Sequence, residues 1–124
     1  MSRRLTGIAL AALMAAGLGG CRREIAGGRA DGAAIYAEVC ARCHGPDGVP
    51  DPSSVARLGV KPLTSEHVQE RLSDEDIRQQ ILQGSRNRQM PSFAGALSDA
   101  QIEAIVQHVR TLRSGSSAAA QGVR

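Results

Sequence analysis

Apolar residues recur at helical spacing along most of the chain, and no stretch shows the alternation that is typical of a half-buried strand. The clearest repeat follows Ser98, which forms a predicted capping box with Gln101. Its apolar positions are Ile102, Ile105, Val106, Val109 and Leu112. Because Gly115 lies just beyond this repeat, the pattern predicts a final helix that ends near Arg113.

Two further helices are predicted in the first part of the chain. Asp31 is the predicted N-cap of the first helix, whose apolar side consists of Ile35, Tyr36, Val39 and Cys40. Thr64 or Ser65 is the predicted cap of a short second helix that runs to about Arg71. Neither segment has the composition of a strand, so the first part of the chain is also predicted to be helical.

A third helix is predicted between these and the last one. Ser73 lies three residues before Asp76, which is typical of a capping box. Gly84 fits a C-terminal stop, and the inner face consists of Ile77, Ile81 and Leu82. Together the elements predict an all-α fold of three to four helices joined by loops.

The N-terminal residues have the pattern of an export signal. Two arginines precede an apolar run over 5–18, which is shorter than the roughly 20 residues that span a bilayer. The run continues into LGGC, residues 18–21, which resembles the lipobox of bacterial lipoproteins. This resemblance implies a signal peptide over 1–20 and lipid on Cys21; the alternative is cleavage nearby that leaves a free thiol. We therefore expect export to the bacterial cell envelope, lipid-anchored and facing the periplasm or the outer surface.

Small and polar residues flank the part of the chain that is predicted to fold. Residues 21–30 include Gly27 and Gly28 and are a predicted flexible tether. Residues 114–124 have no periodicity and are a predicted disordered tail. The predicted domain is therefore 31–113.

The predicted domain is short of large side chains for a core. The chain has one Tyr, one Phe and no Trp, and a core of this size rarely supplies more than about 3–5 kcal/mol of net stability. A disulfide between Cys40 and Cys43 would close too small a loop to constrain the unfolded chain much. A large, flat, apolar cofactor would fill the interior. The chain contains no basic run with interleaved aromatic residues, so the sequence does not indicate nucleic-acid binding.

The candidate chemistry is concentrated in the stretch CARCH, which begins at Cys40. A thioredoxin-type pair of Cys40 and Cys43 would need a preceding strand, and the pattern shows none. A structural zinc site would need a fourth ligand besides the cysteines and His44, for which His67 and His108 are the candidates. The spacing C-x-x-C-H favours a c-type haem, with the thiols as thioethers and the adjacent histidine on the iron.

A second axial ligand for such an iron is available. Met90 is the one methionine outside the predicted signal, and it lies in a loop stiffened by Pro91. This loop follows the CxxCH stretch by a long interval and precedes the last helix. The alternative is a methionine that fills a gap in the core, but the position in the loop favours ligation.

The region 31–113 resembles a class I c-type cytochrome of the small bacterial monohaem kind. Gly32 and Tyr36 resemble the small and aromatic residues of that family's first helix, and 40–48 resembles its haem-binding segment. Three further pairs follow in the family's order: Leu63-Thr64, Met90-Pro91 and Leu97-Ser98. The resemblance implies a cytochrome c fold wrapped around one covalently bound haem c.

Carried over to this chain, the resemblance implies a set of haem residues. Cys40 and Cys43 are the thioether anchors, His44 is the proximal iron ligand and Met90 is the distal one. With both axial positions occupied, the expected function is that of a single-electron carrier between redox proteins, not that of an enzyme. We expect a monomer that is tethered to a membrane through lipid on Cys21.

Two features depart from the family pattern. The last helix carries His108 where the family usually has an aromatic residue, and we expect it to pack over Gly32 and Tyr36. The family often orients its proximal histidine through a proline carbonyl, for which the candidates are Pro50, Pro52 and Pro62. His67 is expected to be a solvated residue on a polar helix.

Other functions are compatible with the same residues. A gas sensor or small haem enzyme would have a labile Met90, with Arg86, Asn87 and Arg88 as distal polar groups. A structural zinc module and a dedicated subunit of an oxidase or dehydrogenase complex are further alternatives. Arg42, together with the two arginines beside Met90, also predicts a locally basic rim that steers redox partners.

Overall fold

The structure is a computed structural model that describes the backbone of residues 23–121 and the side chains of residues 23–113. The predicted signal peptide, 1–20, and the predicted lipid site at Cys21 lie outside the described residues. The prediction of an all-α fold is confirmed, because the described chain consists of helices and loops. No helix within the described range is long and apolar enough to cross a membrane.

The N-terminal helix, 32–44, carries CARCH at its C-terminal end. It has three parts, α-helical, π-helical and α-helical in order: Gly32–Ile35, Tyr36–Cys40 and Ala41–His44. The predicted cap is confirmed, because Asp31 Oδ1 accepts a hydrogen bond from the Ala34 amide at 3.0 Å. The widened π-helical turn ends at Cys40, and turns of this kind are frequent at functional sites.

A short helix, Pro52–Leu58, is absent from the predicted elements. Asp51 Oδ1 caps it by accepting hydrogen bonds from the amides of Ser53 and Ser54 at 2.9 and 3.1 Å. Pro52 occupies the first turn, where its missing N–H is no loss, and the left-handed Gly59 ends the helix with a φ of 65°. Pro52 therefore begins a helix.

The predicted second helix is a single π-helical turn, His67–Arg71. Of its two predicted caps, Ser65 makes the contact, with Oγ accepting from the Val68 amide at 3.4 Å. Arg110 of the last helix holds the turn, because its guanidinium donates to the carbonyls of Val68 and Leu72 at 2.7 and 2.8 Å. These bonds satisfy carbonyls that a short helix leaves without partners.

The middle helix, Asp74–Gln83, is confirmed at both ends. Ser73 and Asp76 form the predicted reciprocal capping box, with the Ser73 amide donating to Asp76 Oδ2 at 2.8 Å. The helix stops at Gly84, whose φ of 73° is easily adopted only by glycine. Its buried positions are the predicted Ile77 and Ile81.

The C-terminal helix, Asp99–Gln121, begins as predicted but continues further. Gln101 Oε1 accepts from the Ser98 amide at 3.0 Å, and Ser98 Oγ accepts from the Gln101 amide at 3.2 Å, which completes the predicted capping box. The helical backbone extends beyond Gly115, where the sequence predicted the disordered tail 114–124. Three consecutive alanines at 118–120 have the highest helix propensity and favour this extension.

The N-terminal and C-terminal helices cross at Gly32. A Cβ atom at this position would clash with the backbone carbonyl of Ala104. Beside the crossing, the rings of Tyr36 and His108 lie with their centroids 4.9 Å apart at an angle of 53°. The predicted packing of His108 over Gly32 and Tyr36 is therefore confirmed. The buried cluster around the crossing is aliphatic: Ile35, Val68, Ile77, Ile81, Leu97, Ile102, Ile105, Val106 and Val109.

Residues 25–29, which we call the N-terminal strap, lie against the domain. The strap contains a 3₁₀ turn, Ile25–Gly28, and Gln101 Nε2 donates to the carbonyls of Ile25 and Arg29 at 3.1 and 3.2 Å. The Ala26 amide donates to Glu38 Oε2 at 2.8 Å. The structure therefore differs from the predicted flexible tether over 21–30, because buried Gln101 finds its acceptors in this segment.

Candidate functional site

Cys40 and Cys43 lie about one helical turn apart at the end of the N-terminal helix. Cys40 closes the π-helical turn, and Cys43 lies in the α-helical turn that follows. Both thiols are free and partly exposed. Burial, with a smaller contribution from Cys43, raises the pKa of Cys40 to about 11, so its thiol is neutral at pH 7. Two accessible thiols on one side of a helix end are placed to bond to a single flat ligand.

His44 follows directly, and its side chain is partly buried. Its Nδ1 atom is buried and has no hydrogen-bond partner within the described part of the chain. Burial lowers the pKa of His44, so the ring is neutral at pH 7 and one of its nitrogens keeps a free lone pair. A neutral imidazole of this kind suits a transition metal such as iron.

The proline carbonyls considered as partners for this ring do not make that contact. None of Pro50, Pro52 and Pro62 accepts a hydrogen bond from Nδ1 of His44 in the structure. Pro50 is buried, whereas Pro52 is used at the start of its short helix. The orientation of the imidazole therefore depends on the backbone that carries it.

The backbone after His44 is fixed by Gly45 and Tyr36. Gly45 has a φ of 77°, and a Cβ atom there would clash with the carbonyl of Val49. The Tyr36 hydroxyl donates to the Gly45 carbonyl at 2.6 Å. Burial raises the pKa of Tyr36, which keeps the hydroxyl protonated as a donor. The sequence identified Tyr36 as a packing residue and missed this bond, because no local pattern joins positions 36 and 45.

Met90 lies in a loop that Ser85 closes. The Ser85 amide donates to the Met90 carbonyl at 3.0 Å, and the Met90 amide donates to Ser85 Oγ at 2.9 Å. Gly84 lies directly against this backbone, where a Cβ atom would press on the Met90 carbonyl. The Met90 side chain is partly buried against the aliphatic core. Sequence reasoning missed Ser85, although its position after the helix-ending Gly84 marks the start of the loop.

The other two histidines are not brought to CARCH as metal ligands. His67 is exposed on its π-helical turn, and His108 packs against Tyr36. Among the described side chains, no group of three or more His, Cys, Asp or Glu residues is arranged to hold a metal ion. The zinc site considered from the sequence therefore has no assembled fourth ligand in this part of the chain.

Comparison with known families identifies the cofactor class of this site. The family model described as "Cytochrome C oxidase, cbb3-type, subunit III" matches residues 28–109. The chain belongs to this family of c-type cytochromes. The matched range includes CARCH, the Met90 loop and the first part of the C-terminal helix. The cofactor is therefore covalently bound haem c.

Two individual proteins are similar to this cytochrome. It is 34% identical over 107 residues to a dihydro-heme d1 dehydrogenase of Pseudomonas aeruginosa, a match that covers 86% of this chain and 18% of the relative. The chain thus spans about a fifth of the length of that relative. Among solved structures it is similar to the KustC0563 c-type cytochrome, with a TM-score of 0.61 and 32% identity over 67% of this chain and 98% of the other.

The residues of the site fit haem c. Two free thiols and a buried imidazole without an internal hydrogen bond follow one another at the end of one helix. This donor set suits two thioether bonds and one axial bond to iron. The core is small and aliphatic and includes no tryptophan. A large apolar group such as haem would therefore add to the stability of the fold.

Proposed function

We propose that this cytochrome is a membrane-tethered single-electron carrier with a His/Met-ligated haem. Cys40 and Cys43 would hold the haem as thioethers, His44 would be the proximal ligand and Met90 the distal one. The observation that carries this proposal is that the buried Nδ1 of His44 makes no hydrogen bond in the described part of the protein, while Cys40 and Cys43, just before it on the same helix, are free thiols. Bound haem supplies an iron that changes between the ferric and ferrous states.

The chain's own residues prepare the site for this chemistry. Burial keeps His44 neutral, so a lone pair is available for a metal without prior loss of a proton. The Met90 thioether is uncharged at every pH and is carried on a loop that two bonds to Ser85 hold closed. A histidine with a methionine raises the reduction potential of a haem relative to many other ligand pairs. With both axial positions filled, the site has no place for a substrate.

The proposed membrane anchor is lipid on Cys21, in the exported envelope form of the protein. Because the strap is bonded to Gln101, only four residue steps separate a lipid on Cys21 from Ile25. Even fully extended, four residues reach roughly 14 Å. The strap therefore favours a haem domain that stays close to its membrane, in contrast to the longer flexible tether that the sequence predicted.

A basic rim on the haem side is the proposed docking surface for redox proteins. Arg42, Arg86 and Arg88 are exposed and form no ion pair with any described residue. By contrast, Arg71 forms an ion pair with Glu66, and Arg78 forms one with Asp99. Uncompensated positive charge on one side speeds encounters with acidic partners. The rate of electron exchange with an acidic redox protein should fall as ionic strength rises.

The dehydrogenase among the similar proteins supports a second version of the same function. In that version this cytochrome is the electron-transfer subunit of an oxidoreductase complex and performs no substrate chemistry itself. Co-purification of the tagged, haem-loaded chain with a catalytic subunit would support this version. A monomer in solution that exchanges electrons with several proteins would support the free carrier.

Absorption spectra of the haem-loaded protein test the proposal. A low-spin reduced spectrum together with the far-red methionine–iron band of the oxidised form is the expected result. Met90→Ala should abolish the far-red band, whereas Gln89→Ala at the adjacent exposed position should retain it. A high-spin spectrum, or ready carbon monoxide binding by the reduced wild-type protein, would instead favour the gas sensor or small haem enzyme.

A further inference from the structure

The side chain of Tyr36 connects the helix crossing to the end of CARCH. It is 2% exposed and lies in the π-helical turn before Cys40. One face of its ring contacts His108 of the C-terminal helix, at a centroid distance of 4.9 Å. Its hydroxyl reaches nine residues along the chain to the Gly45 carbonyl at 2.6 Å. A packing role alone would require the ring and not the hydroxyl.

Gly45 follows His44 directly, so a hydrogen bond to its carbonyl restrains the backbone one residue after the proposed proximal ligand. The same carbonyl accepts a longer bond from the Gly48 amide at 3.3 Å. The Gly45 amide donates to the Ala41 carbonyl at 2.9 Å. The Tyr36 bond is the shortest of the three and the one whose partner lies furthest along the chain, nine residues away.

We infer that Tyr36 is a positioning residue that sets the orientation of the His44 imidazole through the Gly45 carbonyl. The inference rests on the proposed role of His44 as an axial ligand. The ring of His44 has no hydrogen bond of its own at Nδ1 to define its direction. Its direction therefore follows the backbone at 44–45, and Tyr36 holds that backbone against the helix crossing.

Tyr36→Phe in the haem-loaded protein tests this inference, with His108→Ala as the matched control. Phenylalanine keeps the buried ring and removes only the hydroxyl, whereas His108→Ala removes a ring contact and keeps the hydroxyl. Hydrogen exchange by NMR should show the Gly45 and Gly48 amides exchanging about twofold to tenfold faster in Tyr36→Phe. The haem methyl resonances of the oxidised protein, which report the axial-ligand orientation, should shift in Tyr36→Phe and stay close to wild type in His108→Ala.

Each outcome distinguishes this inference from the proposed function. Wild-type exchange rates and haem methyl shifts in Tyr36→Phe would overturn the positioning role. The same shifts in His108→Ala would also overturn it, because general loosening of the crossing would then explain them. A wild-type protein without the His/Met spectrum would refute the proposed ligation. In that case, the change in the Gly48 amide exchange rate between wild type and Tyr36→Phe would still show whether the hydroxyl bond holds the loop.

Discussion

Gly32 of the N-terminal helix lies directly against the backbone carbonyl of Ala104 in the C-terminal helix, with no room for a side chain between them. Beyond the Ala104 carbonyl group, the next residue is His108, whose Cβ lies close to the same position and whose ring is tilted against Tyr36. This contact lets the two helices approach closely enough to bury Ile35 and Val106 completely. The proposed haem anchors lie at the far end of the same N-terminal helix.

Gly32→Ala should therefore destabilise the protein, although alanine favours a helix by about 1 kcal/mol over glycine. Backbone cannot move aside as a flexible side chain can, so the helices must separate, and overpacking of this kind costs about 1–3 kcal/mol. Chemical denaturation of the haem-loaded protein measures the change. Ala33→Gly, at an exposed position of the same turn, controls for helix propensity and should cost about 1 kcal/mol. A Gly32→Ala protein more stable than wild type would contradict the close crossing.

The helix ends could be predicted from the sequence because their chemistry is local. Asp31, Ser73 and Ser98 each bond to an amide within three residues, so the side chain and its partner appear together in the sequence. The same kind of signal was present at the short helix Pro52–Leu58, where Asp51 precedes a proline. The sequence prediction gives Pro52 only a candidate role as a partner for His44, so it misses the helix that Asp51 caps.

The parts that sequence reasoning missed depend on contacts between distant segments. Gln101 holds a strap more than 70 residues before it in the chain. The Tyr36 hydroxyl meets the Gly45 carbonyl, nine residues along the chain, only in the folded protein. A hydrophobic pattern identifies which residues are buried, but it does not specify which polar atoms meet inside the fold.

Ser85→Ala should weaken the Met90 loop without unfolding the protein. The substitution removes the acceptor of the Met90 amide at 2.9 Å, and a bond of this kind contributes about 0.5–1.5 kcal/mol. If Met90 is the distal ligand, its release should become about twofold to tenfold more frequent, measured as the rate of carbon monoxide binding to the reduced protein. Ser73→Ala, which removes a cap on the middle helix, should lower stability and leave this rate unchanged. Equal rates of carbon monoxide binding in wild type and Ser85→Ala would show that the Ser85 bond does not control the release of Met90.

Asp51 should make the short helix sensitive to acid. Hydrogen bonds from the Ser53 and Ser54 side chains and from their amides hold the pKa of Asp51 well below its usual range. Because the pKa is lower in the folded state, the carboxylate stabilises the fold fully at any pH above its unfolded pKa, which is about 4. This contribution is lost as the pH falls from there through the folded pKa. The difference in unfolding free energy between wild type and Asp51→Asn should therefore be constant above about pH 5 and shrink below about pH 4. A difference that does not change over this range would show that the carboxylate is not the stabilising form.

Gln101→Ala should release the N-terminal strap. The amide nitrogen of Gln101 donates to two strap carbonyls, and the two bonds together contribute about 1–3 kcal/mol to holding the strap. Trypsin cleavage after Arg29, followed by mass spectrometry under native conditions, should become about fivefold faster or more. Gln107→Ala is the matched control, because Gln107 is on the same helix but bonds only to the exposed Glu103.

The same pair of variants tests how closely the haem domain is held to its proposed lipid anchor. In vesicles that carry the lipidated protein, Gln101→Ala should increase the distance between the haem and the lipid surface, read as weaker quenching of a fluorescent headgroup by the haem. Gln107→Ala should leave the quenching at the wild-type level. Equal quenching in all three proteins, combined with faster cleavage after Arg29, would mean that the strap binds the domain without setting its distance from the membrane.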